Sequence, residues 1–360
     1  MYTHRAPRHR RLAAALAAAA VLVGSLAACG SDDADADADA DLRSTAYAPP
    51  EDGAFPVTIE HRFGSTTVEE EPQRVVTVGL TDQDAVLALG RVPVATTEWL
   101  GLHDAAIGPW AADLLGDAER PKLLTDPGTG PRVEAIAEQA PDLILALYAG
   151  LTEEQYDNLS KIAPVVAAPE EFNDWGIPWQ EQTRIVGQAL GRPQAANDLV
   201  DEVESGIAAE RREHPEFAEA TGVAATPYEG FFVYGSQDIR SRMLADLGFA
   251  LPDGLDDEIG DEFGANISRE RTELLDQSVA VWLVPDLDAA PDDLHADELY
   301  GDLNVVTEGR EVFVQETSDY GAAFSFATAL SVPYLVERLV PQLTAAVDGD
   351  PATAVETPAD

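Results

Sequence analysis

The sequence predicts an α/β protein of two lobes, each a sheet interleaved with helices, joined by a single long α-helix with a ligand cleft between the lobes. Three observations carry this. Short apolar strands alternate with helical patterns across residues 55–175, and the same alternation restarts across 216–346. An unbroken helical pattern fills 193–213 between them. In each half a carboxylate stands nine residues ahead of the most apolar strand, Glu134 before Leu143 and Glu270 before Val279.

The elements follow in order. Residues 55–61 alternate like a strand, and 64–68 read as the return of a hairpin. A buried strand is expected at 75–78. A helix over 85–89 follows it, capped by Thr81 or Asp82 and ended by Gly90. Further strands are expected at 92–95 and 143–147, with a helix at 132–139 feeding the second. Pro193 suits the first turn of the long helix, whose apolar residues Ala196, Leu199, Val200, Val203 and Ile207 recur at spacings of 3 and 4. At 1.5 Å per residue this helix runs about 30 Å, the length of a strut between lobes. The second half gives strands at 222–226, 230–234, 279–284 and 311–314. Helices are expected there at 242–247, 270–275 and 330–343.

Ahead of the lobes lies an export signature. Arg5, Arg8, Arg10 and Arg11 precede a run of small and apolar residues at 12–26, shorter than the roughly 20 residues a bilayer span needs. The run ends in Leu26-Ala27-Ala28-Cys29-Gly30 and resembles a bacterial lipobox, which implies a signal peptide over 1–28 and lipidation of Cys29, the one cysteine of the chain. An ordinary secretory signal with a chance cysteine is the alternative. The alternating Asp and Ala that follow make 29–54 an expected disordered acidic tether. An Asp-, Pro- and Thr-rich stretch makes 347–360 an expected disordered tail.

The chain has 360 residues, 45% of them hydrophobic, and a formal charge of −44 that becomes −48 without the first 28 residues. Such a polyanion repels phosphate backbones and anionic lipid headgroups. Nucleic acid is therefore excluded as a partner, and the membrane is reached through the lipid anchor alone. With only Lys122 and Lys161 as lysines, the acidity fits either a saline habitat or a coding bias. Bare-metal binding is disfavoured because His61, His103, His214 and His295 are scattered. An exported hydrolase is disfavoured by the lack of Gly-x-Ser-x-Gly, His-Glu-x-x-His or a phosphate loop.

Particular segments narrow the reading. They are Pro72-Gln73-Arg74-Val75-Val76, Thr81-Asp82-Gln83-Asp84-Ala85 and Ala140-Pro141-Asp142-Leu143-Ile144. Gly150-Leu151-Thr152-Glu153-Glu154-Gln155-Tyr156, Trp179-Gln180-Glu181-Gln182-Thr183, Ile267-Ser268-Arg269-Glu270 and Leu330-Ser331-Val332-Pro333-Tyr334 continue the series. In this order they resemble the iron-siderophore substrate-binding lipoproteins of ABC importers, over nearly everything from Phe55 to Leu343. The resemblance implies two Rossmann-like lobes, 55–175 and 216–346, bridged by a helical region at 176–215 that resists large hinge motion. It also implies a ferric siderophore as ligand, an ABC permease dimer as partner, a monomer, no catalysis and no cofactor. Glu134 and Glu270 would dock to permease arginines, though acidic residues are favoured at helix starts in any case.

A chelated ferric ion needs no protein ligand, so the expected site is an aromatic cleft with a few polar contacts. Open α/β sheets place ligands at loops after strands. The candidates on that rule are Trp99, Tyr148, Tyr234, Arg240, Tyr320 and Phe324, with Trp175 ahead of the linker. Each aromatic has packing as its alternative role, and Arg240 has an ion pair with a neighbouring carboxylate. Tyr156 and Trp179 are expected in the core. The acidity favours neutral or cationic ferric hydroxamates over anionic tris-catecholates. Haem or a cobalamin on the same fold is the nearest alternative cargo, and a surface adhesion module is another class.

Overall fold

The first lobe is built on five parallel strands in the order β5-β4-β3-β6-β7, as described in a computed structural model for residues 49–98, 101–125 and 130–358. The expected signal peptide, Cys29, most of the tether and Trp99 lie outside the described residues. A hairpin of β1 (Val57–His61) and β2 (Gly64–Val68) precedes the sheet. The sheet strands are β3 (Val75–Thr77), β4 (Ala95–Glu98), β5 (Lys122–Thr125), β6 (Leu143–Ala146) and β7 (Val165–Ala167). Between them run α1 (Asp82–Ala88), α2 (Val133–Ala137) and α3 (Glu153–Leu159), followed by α4 (Trp179–Ala189). The strand expected at 92–95 starts only at Ala95, since Pro93 has no N–H to give a ladder.

The long helix α5 (Pro193–Glu213) takes the predicted bounds, with Pro193 in its first turn and the five predicted apolar residues buried. Ala196 joins the core of the first lobe, whereas Leu199, Val200, Val203 and Ile207 join that of the second. One amphipathic stripe is thus shared by both lobes. Gly187 lets α4 meet α5 closely, since a Cβ there would lie 2.3 Å from that of Ala196.

The second lobe holds β8 (Gly222–Thr226), β9 (Phe232–Tyr234), β10 (Gly264–Asn266), β11 (Val279–Val284) and β12 (Glu311–Gln315), in the order β10-β9-β8-β11-β12. Its helices are α6 (Ile239–Leu247), α7 (Leu255–Ile259), α8 (Ala290–His295), α9 (Glu298–Gly301), α10 (Asn304–Thr307), α11 (Asp319–Ser325) and α12 (Ser331–Ala346). The β8–β11 and β11–β12 pairings are parallel, whereas β9 runs antiparallel to both of its neighbours, β8 and β10. The lobes are therefore cousins rather than copies.

Within the described residues, parts of both expected disordered ends pack on the folded body. Glu51 accepts hydrogen bonds from the backbone N–H groups of Gln194 at 2.9 Å and Ala195 at 3.1 Å, capping α5 where Arg192 offers no side-chain cap. Beyond α12, Val347 and Val355 pack on the second core, and the Glu356 carbonyl accepts from Gln342 Nε2 at 3.1 Å. Val355 and this hydrogen bond hold that acidic tail against the lobe.

Candidate functional site

Each sheet has a switch point, where chain order reverses and the loops after adjacent strands diverge. In the first sheet it lies between β3 and β6, and in the second between β8 and β11. Leu80 and Tyr148 follow the first pair; Pro227, Tyr228 and Pro285 follow the second. All five line one cleft of about 520 Å³ between the lobes.

Of the predicted residues, Tyr148, Trp175, Tyr234 and Arg240 meet in this cleft. Tyr148 is fixed through its backbone, for its N–H donates to the Asp82 carboxylate at 3.2 Å, as does that of Leu147 at 2.9 Å. Gln182 Nε2 and the Gly79 N–H complete the set of donors around Asp82. Gly79 is required there, because a Cβ would lie 2.3 Å from the carboxylate. Burial pushes the Tyr148 hydroxyl well above its ordinary range, so it stays a neutral donor.

Trp175 packs edge-on against Tyr148 at 5.3 Å between ring centroids. Its φ of +65° lies in the left-handed region, at a cost of about 1–3 kcal/mol that the neighbouring contacts must offset. Arg62 supplies some of them, holding this loop through the Phe172 carbonyl at 2.6 Å and through Asp174. Gly150 leaves room for the indole, since a Cβ there would lie 2.9 Å from the ring.

Arg240 lies over the Tyr234 ring, 4.1 Å from its centroid. Its Nη1 reaches both oxygens of buried Asp238, at 3.2 and 2.9 Å. Asp238 also caps α6 by accepting from the Arg240 N–H at 2.8 Å. Burial raises the Asp238 carboxyl, and the adjacent guanidinium opposes the rise. Arg240 is therefore ion-paired and at the same time lines the cleft.

Tyr320 and Phe324 do not line the cleft. Ser318 caps α11 through the Gly321 N–H, and the resulting helical phase turns both rings into the second core, 3% and 1% exposed. The Tyr320 hydroxyl donates to Gln342 Oε1 at 2.7 Å. Ser325 and Phe326, at the end of the same helix, face the cleft instead. The expected core residue Trp179 is buried, and Tyr156 is partly buried against Phe63 at 4.7 Å.

Several cleft residues escaped the sequence reading. Leu80, Pro227, Tyr228, Pro285 and Glu316 all follow strands, and applying the post-strand rule to every residue type would have found them. Phe232 and Phe263 belong to the antiparallel edge, for which no comparable rule exists.

The seam beside the cleft is polar. Thr328 of the second lobe and Trp110 of the first both donate to Asp84 Oδ2 at 2.7 Å. His103 meets Asp319 at 2.8 Å, Asn173 Nδ2 donates to the Asp261 carbonyl at 2.8 Å, and Arg242 donates to the Gly176 carbonyl. His61, His214 and His295 pair elsewhere, with Thr66, Glu216 and Glu311.

Burial pushes the Asp84 carboxyl up to about 6, despite those two hydrogen bonds and the nearby His103. A folded-state value above the unfolded one means that the fold binds this proton more tightly than the open chain does. Stability from Asp84 is thus lost as pH rises from about 4 through about 6, by about 3 kcal/mol. Urea unfolding of the wild type and Asp84→Asn at pH 4.5 and 7.5 should show the variant gaining on the wild type at the higher pH. A gap of constant size contradicts this.

Two α/β lobes facing each other at their switch points across an aromatic cleft, with one helix shared between them, define a two-lobed solute-binding protein. The chain belongs to the periplasmic binding protein family, whose profile matches residues 81–316. It is similar to the iron-uptake ABC transporter substrate-binding protein PiaA of Streptococcus pneumoniae TIGR4, solved with ferrichrome. That match has a TM-score of 0.73 and 29% identity, over 82% of this chain and 99% of the other. It is also similar to a periplasmic solute-binding protein of Mycobacterium smegmatis, with a TM-score of 0.69 and 32% identity over 81% and 98% of the two chains. The probable siderophore-binding lipoprotein YfiY of Bacillus subtilis is 30% identical over 152 residues, which are 42% of this chain and 43% of YfiY. The chain thus spans less than half the length of that curated relative.

Proposed function

We propose that the protein is the extracytoplasmic substrate-binding component of an ABC importer, which captures a ferric siderophore and delivers it to a permease dimer. It works as a monomer without catalysis or a resident cofactor, tethered to the membrane by acylated Cys29. The observation that carries the reading is the cleft itself. Seven of the sixteen residues lining it are aromatic, among them Tyr148, Trp175, Tyr228, Phe263 and Phe326, and they offer a coordinatively saturated complex contact area. Arg240 is outweighed there by Asp238 and Glu316, which supports a neutral or cationic ferric hydroxamate over a highly anionic chelate.

Glu134 and Glu270 support delivery. Each is exposed and second in its helix, in α2 and in the 3-10 turn Arg269–Leu275, ahead of β6 and β11 respectively. We propose that each pairs with a permease arginine. The test is tryptophan-fluorescence titration with ferric hydroxamates, catecholates and carboxylates, with haem and a cobalamin as comparators, followed by import assays of Glu134→Ala/Glu270→Ala. Saturable quenching by a ferric hydroxamate is expected, together with a double variant that binds normally but does not import. Silence toward every loaded chelator overturns the ligand, and normal import by the double variant overturns the docking role.

A further inference from the structure

A smaller cavity of about 60 Å³ adjoins the cleft and shares Leu80 and Phe326 with it. Its wall draws on both lobes, with Gln83, Asp84, His103 and Trp110 from the first and Ala322 and Thr328 from the second. The donors around it are committed. Thr328 Oγ1 and Trp110 Nε1 donate to Asp84 Oδ2, and Thr97 Oγ1 donates to the Thr77 carbonyl at 3.1 Å. Gln83 Nε2 donates to the carbonyls of Leu80 at 3.1 Å and Ala106 at 3.0 Å, and His103 Nε2 is taken by Asp319. What remains is acceptors. Asp84 Oδ1 and Gln83 Oε1 are buried without a hydrogen-bond partner among the described residues, on side chains that line this cavity and belong to residues only 2% and 6% exposed.

Orphaned buried acceptors are costly, and a carboxylate oxygen more so than an amide oxygen. We infer that this cavity is a subsite for a protonated primary amine at one end of the ligand that fills the main cleft. An ammonium group brings three donors and no acceptor, and its charge meets the Asp84 carboxylate, whose neighbour His103 is itself engaged by Asp319. The cavity exceeds the roughly 10–15 Å³ that a single water requires, which leaves space for an aminomethyl end. Its mouth at Leu80 and Phe326 gives the methylenes behind the amine an apolar passage from the cleft. This inference rests on the ferric-siderophore reading and names a feature that the siderophore should carry.

The test compares two ferric trihydroxamates that differ only at one chain end, a primary amine in one and a methyl group in the other. By fluorescence titration the amine form should bind roughly tenfold to hundredfold more tightly, as expected for hydrogen bonds to a charged group. In Asp84→Asn, which keeps the shape of the side chain, the preference should shrink to about twofold or less. Ala322→Val, which fills the cavity from α11, should abolish the preference while the methyl form binds as before, and this guards against a folding defect in the first variant. Butylammonium alone should raise the melting temperature of the wild type and not of Asp84→Asn. Equal affinity for the two complexes overturns the subsite and leaves the siderophore reading standing. If neither complex binds, the siderophore reading fails, and the butylammonium shift alone then upholds or overturns the amine subsite.

Discussion

Arg240→Ala is expected to destabilise the protein by about 3–5 kcal/mol, because it leaves the buried Asp238 carboxylate with one backbone N–H and without its ion-pair partner, Arg242 acting only as a second, unbonded charge. The penalty comes from the stranded charge rather than from the worth of the pair. Removing both charges in Asp238→Asn/Arg240→Met should therefore recover much of the loss, since Asn keeps the cap on α6 and Met replaces the aliphatic stem over Tyr234. Arg240→Lys should recover only part of the loss, for an ammonium has no planar face to lay on the Tyr234 ring while it reaches Asp238. Urea unfolding of the four proteins checks the series. A single variant as stable as the wild type would falsify the assignment of Asp238 as a buried partner. Ligand affinity should separate from stability in the double variant, which folds but lacks Arg240, the one cation lining the cleft among the described residues.

Asp82→Ala should cost a comparable amount, about 3–5 kcal/mol, with an added effect on the cleft. The carboxylate gathers the N–H groups of Gly79, Leu147 and Tyr148 and the amide of Gln182, thereby tying α1, the end of β6 and α4 to one point. Alanine leaves four donors facing an apolar methyl group. Asp82→Asn fares little better, since its amide group points further donors at donors. Because Tyr148 takes its position from this anchor, both variants should also weaken ligand quenching at urea concentrations where the chain is still folded. Quenching of wild-type strength in a destabilised Asp82→Ala protein would show that the ring is held by other contacts.

These residues also show how legible the sequence was. The helix Pro193–Glu213 could be read to the residue because a first-turn proline and a 3-and-4 apolar spacing are local signals. The strands β6 and β11 were equally plain, as apolar runs buried on both faces. The antiparallel edge of the second sheet was not. Helix–strand alternation implies parallel pairing, and β10 is only Gly-Ala-Asn, too short and too small to announce itself. Within the cleft, the post-strand rule located Tyr148 because a residue directly after a strand has little freedom of direction. It failed at Tyr320 and Phe324 because a helix intervenes, and one capping serine sets which face turns inward. The motif Thr81-Asp82-Gln83-Asp84 carried the resemblance, but its chemistry emerged only in three dimensions. Asp82 anchors a strand end, whereas Asp84 reaches across to the other lobe.

That reach has a mechanical side. At neutral pH the closed seam keeps an ionised carboxylate away from bulk water, and every step that parts the lobes hydrates it again. Asp84 therefore sets an electrostatic cost on joining the two lobes at this point, which the hydrogen bonds from Thr328 and Trp110 offset only in part. On the amine-subsite reading, a positively charged cargo end would offset that cost.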